Sequence, residues 1–171
     1  MVGRRLAMLR LEAGRIEEAA DYVLPALEAF RKLDLGLWES YTLRILGWLR
    51  RDEGRLDVAD QYLEDAASLA QHFEDPWGVA KAHALQASVR MAQGRPEEAV
   101  RLLRDAATTA SRYEEPLQEA QILSDLARAL RATGDRSAAA QIEADVRIAR
   151  ALGPTRRVAW WRTLSVRWPG R

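Results

Sequence analysis

The sequence predicts an all-α solenoid of four antiparallel helix pairs with a C-terminal capping helix or tail, and three observations carry that prediction. Gly14, Gly54, Gly94 and Gly134 recur at a spacing of 40 residues. Between them, apolar residues return at three- and four-residue intervals, as in Leu43, Leu46, Leu49 and in Tyr62, Leu63, Ala66, Leu69, which is the period of a helix with one buried face. No stretch alternates convincingly with the period of two that a strand requires.

Other columns keep the register of the glycines. Seven residues before each sits a small residue (Ala7, Gly47, Ala87, Ala127), and five after it an alanine (Ala19, Ala59, Ala99, Ala139). Such residues suit places where two backbones approach closely. Eight after each glycine comes a bulky apolar side chain (Tyr22, Tyr62, Leu102, Ile142), and twelve after it Ala26, Ala66, Ala106 and Val146.

The elements follow in order. Each repeat opens with an A helix, at about 3–13, 37–52, 77–92 and 117–132, and closes with a B helix, at about 16–33, 56–73, 96–113 and 136–151. Each glycine ends an A helix in a left-handed cap. The segments GRIEEA, GRLDVA, GRPEEA and GDRSAA then put acids or Pro96 into the first turn of B, where the helix dipole favours negative charge and proline loses nothing. The joints LDLGLW, FEDPWG and YEEPLQ align Gly36, Pro76 and Pro116 in one column, read as stops for the preceding B helix. Pro25, inside the first B helix, should kink it or delay its start. The repeats fall at about 1–35, 36–75, 76–115 and 116–154, one array over 1–154, followed by a basic, Trp-rich segment at 155–171.

Composition bounds the function. The chain has 171 residues, 26 basic against 25 acidic, 48% hydrophobic, and no cysteine, which excludes a disulfide scaffold, a thiolate zinc site and a cysteine nucleophile. No apolar run is long enough to span a membrane and the N-terminus turns to charge too soon for a signal peptide, so the expected address is cytoplasmic. Residues 147–171 hold seven arginines and no acid, which leaves the body near −6. An acidic body with a short basic tail gives no stripe along which a duplex could lie, so neither nucleic acid nor membrane is expected as a partner.

The small residue, the glycine seven later, the alanine five beyond it and the second alanine seven further on resemble the tetratricopeptide repeat (TPR) family. LGWLRRDEGRLDVADQYLEDA (46–66) is the best-matching stretch, and the likeness covers about 1–151. It implies a right-handed superhelix. The period of 40 exceeds the family's usual 34, and with joints such as Asp75-Pro76-Trp77-Gly78 it is similar to the TPR arrays of bacterial transcription regulators. Departures are visible. The family's aromatic near the start of A is Leu43, His83 and Leu123 here, and its later tyrosine is Arg10, Arg50, Arg90 and Leu130. In the fourth B helix Glu143, Arg147 and Arg150 stand where the second repeat has Leu63, Ala67 and Ala70, as on a terminal cap. Leu6, Met8, Leu9 and Leu11 surround the first A helix, which needs a cover: a partner, a second copy or a preceding repeat.

Catalysis lacks an inventory: no phosphate-binding glycine loop, no HExxH, no GxSxG, and His72 and His83 on different helices without an evident acid partner. Glu17/Glu18 and Glu97/Glu98 diverge by about 100° on a helix and suit its dipole better than acid–base work. Neither enzyme activity, cofactor nor metal is expected. The family likeness implies a groove lined by A helices, with Tyr41, Arg44, Trp48 and Arg51 from the second repeat, Lys81, Ala84, Ser88 and Met91 from the third, and Gln121, Ser124, Arg128 and Arg131 from the fourth, extended by Arg4 and Met8. Spacing agrees, because 41, 44, 48 and 51 form one helical stripe opposite Leu43, Leu46 and Leu49. Arg44, Arg51, Lys81, Arg128 and Arg131 favour a protein or peptide ligand with acidic groups. The competing reading is an ordinary solvated face. A chaperone-type carboxylate clamp does not fit: Arg4 and Lys81 match it in part, but Met8, Ile45 and Leu85 replace its polar members. The function expected is a non-catalytic peptide-binding scaffold, with a regulatory module of a bacterial transcription regulator as the alternative. The tail, with Trp160, Trp161 and Trp168 among arginines, suits a cap, with partner, self-association, lipid and nucleic acid as competing uses.

Overall fold

The computed structural model describes residues 16–113 and 116–152, and within them every regular element is an α-helix. The first A helix, with Arg4 and Met8, and the tail lie outside the described residues. The helices are α1 (Ile16–Lys32), α2 (Gly36–Asp52), α3 (Leu56–His72), α4 (Pro76–Ala92), α5 (Pro96–Ala110), α6 (Pro116–Ala132) and α7 (Arg136–Leu152). Each packs on the next along the chain. The A helices α2, α4 and α6 also touch one another in succession, whereas no comparable contact joins successive B helices among the described residues. The array therefore bends toward its A helices, which line the inner face.

The core follows the columns. Leu43, Leu46 and Leu49 of α2 are fully enclosed, and so are Ala59, Ala99 and Ala139, Ala87 and Ala127, and Ala66 and Ala106. A β-carbon on Gly47 would stand 2.5 Å from Leu63 Cγ, so the crossing of α2 on α3 depends on a missing side chain. Three apolar clusters succeed one another along the array, each built from neighbouring helices only, as expected of a quasi-one-dimensional fold.

The A-to-B turns realise the predicted cap. Gly54, Gly94 and Gly134 have φ of 76°, 73° and 89°. The amide of Gly54 donates to Arg51 O at 2.9 Å and that of Arg55 to Arg50 O at 2.8 Å, the double closure of a Schellman turn, and the pattern returns at Gly94 and Gly134. The first two B-to-A joints use the same turn without glycine: Asp34 and Glu74 both adopt φ 52°, with Leu35 N bonded to Phe30 O and Asp75 N to Ala70 O.

Three sequence expectations need correction. Gly36, Pro76 and Pro116 begin the following A helices, and the B helices stop earlier, the first two at Schellman turns. Proline fits there because a first-turn amide has no intrahelical acceptor. Gly36 lies where Phe73 of the next joint packs, since a β-carbon would fall 1.9 Å from its ring. Of the two effects expected of Pro25, a delayed start is not found: α1 is already helical at Ile16 and runs on to Lys32. Pro25 and Asp21, whose carbonyl loses its partner, are both exposed, so water can take the lost bond. Finally, α5 ends at Ala110, three residues short of the predicted end. Thr108, Thr109 and Ser111 turn their hydroxyls onto Arg104 O, Asp105 O and Thr108 O, side-chain bonds that compete with continued helix.

Candidate peptide-binding groove

The inner face collects the residues that the spacing singled out. On α2, Trp48 is half-buried against the cluster of Leu43, Leu46 and Leu49. Arg51 reaches across to α4, donating from Nη1 to Ser88 Oγ at 2.9 Å while Nη2 pairs with Asp52 Oδ1 at 2.5 Å. Ser88 in turn donates to Leu85 O at 2.6 Å. Ala84 and Met91 of α4 pack into the next apolar cluster, and Lys81 holds its ammonium 5.2 Å from the centre of the Trp77 ring. The Arg51–Ser88 contact links α2 to α4, and Tyr41, Arg44 and Lys81 share a cavity.

The fourth-repeat members behave differently. Gln121 Nε2 and Arg128 Nη2 both donate to Asp125, at 3.3 and 2.8 Å, and Ser124 Oγ turns inward to Ala120 O at 2.7 Å. Arg131 pairs with Glu143 of α7. Their charges are locally matched, and as exposed pairs they add little stability.

Arg44 departs most from a solvated stripe. Only 9% of it is exposed, and its buried Nε meets no hydrogen-bond acceptor. The guanidinium lies 5.0 Å from the centre of the Tyr41 ring. Burial pushes its proton affinity below the ordinary arginine range, and Tyr41 and the Asp75 carboxylate oppose that shift. Beside it opens a cavity of about 250 Å³ lined by Leu37, Trp38, Ser40, Tyr41, Arg44, Asp75 and Lys81. Asp75 is fixed by its own helix start, where Oδ1 accepts the Gly78 amide at 2.8 Å. Ser40 ties α2 to α3 by donating to Ala66 O at 2.8 Å.

The sequence reading named Tyr41, Arg44 and Lys81 but missed Leu37, Trp38, Ser40 and Asp75. Leu37, Trp38 and Tyr41 sit at helical spacing ahead of Arg44, a signal available in the sequence; Asp75, 31 residues on, comes close only through the 40-residue repeat.

Away from the groove, the arginines that replace the family tyrosine act as braces. Arg90 pairs with Asp60 of α3 at 2.5 Å and Glu98 of α5 at 3.2 Å, joining three helices, and Arg50 pairs with Glu53 at 2.6 Å. Glu98 also receives Arg95, at 2.5 Å, so it serves the helix start. His83 does face an acid: Asp105 favours its charged form, but burial outweighs this and holds the imidazole below its ordinary value. His72 meets Phe73 edge-on. Among the described residues no three His, Asp or Glu side chains cluster as metal ligands, and no helix is long and apolar enough to cross a membrane.

Comparison with known proteins agrees with this architecture. Residues 82–117 match the family model of the tetratricopeptide repeat. No curated protein matches the chain. Among solved structures, BtubC (BKLC) from P. vanneervenii is similar at 18% identity and a TM-score of 0.78 over 88% of this chain, and the chain spans 63% of that protein. The nearly identical TPR-like repeats of a Podosopora anserina protein named after kinesin light chain superpose at 19% identity and a TM-score of 0.74, covering 92% of this chain and 76% of that one. At such identities the likeness bears on the fold.

Proposed function

We propose, from the premise that this chain is a tetratricopeptide-repeat protein, that it is a non-catalytic scaffold that holds a protein or peptide along the face of α2, α4 and α6. The observation that carries this reading is the contact of Arg51 on α2 with Ser88 on α4, with Trp48 and Met91 half-buried on the same two successive A helices. Aromatic and arginine side chains supply most binding energy at protein interfaces. The cationic members Arg44, Arg51, Lys81, Arg128 and Arg131 favour a partner carrying acidic groups, although Arg51, Arg128 and Arg131 already have carboxylates beside them. The same reading takes 1–154 as one array, expects 155–171 to serve as a capping helix or tail and the apolar stretch of the first A helix to meet a second copy or a parent assembly, and expects a cytoplasmic address.

The test is capture from extract on the immobilised protein, compared with a Trp48→Ala, Arg51→Ala double variant. The variant should lose a saturable partner while circular dichroism reports unchanged helicity. Capture that survives the double substitution refutes the groove. A regulatory module of a bacterial transcription regulator is the second reading, supported by the Asp75-Pro76-Trp77-Gly78 joint; a DNA-binding segment in the same or a neighbouring chain distinguishes it.

A further inference from the structure

The exposed apolar side chains of this array gather along one edge. Among the described residues eight large ones are exposed, and six of them, Leu33, Leu35, Leu37, Trp38, Phe73 and Tyr113, lie at the B-to-A joints. They form a ladder. Phe73 of the second joint packs over Gly36 of the first, and Tyr113 of the third stacks on Trp77 of the second with ring centres 5.7 Å apart. Apolar surface concentrated in this way marks a place where another chain segment lies.

The charges of the edge narrow the occupant. An acid follows each ladder aromatic, as Phe73-Glu74 and Tyr113-Glu114, and residues 72–75 and 112–115 together hold Glu74, Asp75, Glu114 and Glu115 against Arg112. Glu74 is exposed and forms no ion pair among the described residues. The first joint is balanced, since Arg31 and Lys32 stand beside Asp34 and Glu39. A segment that fits the second and third joints is therefore basic and aromatic.

The chain carries such a segment. Residues 155–171 hold five arginines, three tryptophans and no acid. Within them Trp161-Arg162 and Arg167-Trp168 pair an aromatic with a charge, as the joints do, with the sign reversed. The two pairs are six residues apart, about 20 Å of extended chain. Successive joints are two helices apart, about 16–20 Å at usual interaxial distances. The B helices end at this edge, α7 among them at Leu152, and the nine residues from there to Trp161 extend about 30 Å, enough to pass one repeat.

We propose that residues 155–171 run back along the B-to-A edge of the same molecule, with Trp161-Arg162 on Tyr113-Glu114 and Arg167-Trp168 on Phe73-Glu74. The seat extends two joints beyond the last helix pair, farther than a cap on α7 alone, and it does not depend on the groove reading. The arginines meet carboxylates and the indoles continue the ladder. An exposed ion pair adds little stability, so the seat is read as a distance.

The chain has no cysteine, so spin labels attach only where one is introduced. The full chain carrying Gln71→Cys and Ser165→Cys is labelled at both sites, and the distance between them is measured by pulsed electron resonance. One narrow distance distribution is expected. Glu74→Arg, Arg167→Glu and Trp168→Ser should each abolish it with helicity unchanged, and Glu74→Arg combined with Arg167→Glu should restore it. The proposal is overturned by a broad distribution in the parent, or by a narrow one that Glu74→Arg leaves in place, which seats the segment elsewhere. A distance that disappears on dilution with unlabelled protein also overturns it, and assigns the segment to the edge of a second copy.

Discussion

Replacing Gly94 by alanine isolates the backbone energetics of the array. Gly94 has φ 73°, and an added β-carbon would meet nothing within 4 Å, so no clash enters the cost. What remains is the left-handed conformation, which costs an L-residue about 1–2 kcal/mol. Alanine also narrows the unfolded ensemble, which returns about 0.4–1 kcal/mol. The net loss is then about 1 kcal/mol, and for a chain of this size that lowers the melting temperature by roughly 2–4 °C. Gly54 and Gly134 share the geometry, with φ 76° and 89° and the same open surroundings, so their alanine variants should lose similar amounts. Asparagine, which tolerates this conformation, should lose less at all three. The assay is urea denaturation followed by circular dichroism, with thermal melts alongside. Alanine variants as stable as the parent, or losses that differ severalfold among the three turns, would refute the claim that one strained turn is repeated along the array.

The converse change, Glu74→Gly, should stabilise, because Glu74 holds the same left-handed conformation at φ 52° with a side chain attached. Relief of about 1–2 kcal/mol, less the entropy glycine loses on folding, about 0.5–1 kcal/mol, leaves a gain of about 0.5–1 kcal/mol in the same urea assay. A loss of stability would contradict the turn assignment. His83 predicts a pH effect: burial holds its folded pKa below the unfolded value of about 6.5. Its contribution is therefore present above that value and is lost as pH falls through 6.5 toward the folded pKa. Urea midpoints measured from pH 7.5 to 5.5 should fall more steeply for the parent than for His83→Gln, and parallel profiles would remove His83 from the account.

Much of the architecture was legible because its causes are local and repeated. Apolar residues at helical spacing set the buried faces, glycine set the A-to-B turns, and the small columns set the crossings, so most helix ends fall within a residue of the prediction. The B-to-A turns were hidden because Asp34 and Glu74 occupy a conformation that composition assigns to glycine, and the closing bonds come from backbone whose pattern no residue type announces. The early end of α5 lies in three hydroxyls acting together. At the candidate site, periodicity put Arg44 on the same stripe as Tyr41, and the two line one cavity. The burial of Arg44 was not legible, since a charged residue at such a position reads as solvated, and Asp75 and Lys81 come close to it only after α2 and α4 have packed. The partners of Arg51 and Arg131 were missed for the same reason: Ser88 and Glu143 lie on neighbouring helices.

Photo-crosslinking tests the central claim most directly. Benzoylphenylalanine is placed at position 48 on the inner face of α2 and, in a second protein, at position 61 on the exposed face of α3, and each is irradiated in extract. The account predicts a discrete crosslinked polypeptide from position 48, competed by excess unlabelled protein, and none from position 61. Crosslinks from position 61 alone, or equal yields from both faces, would contradict it.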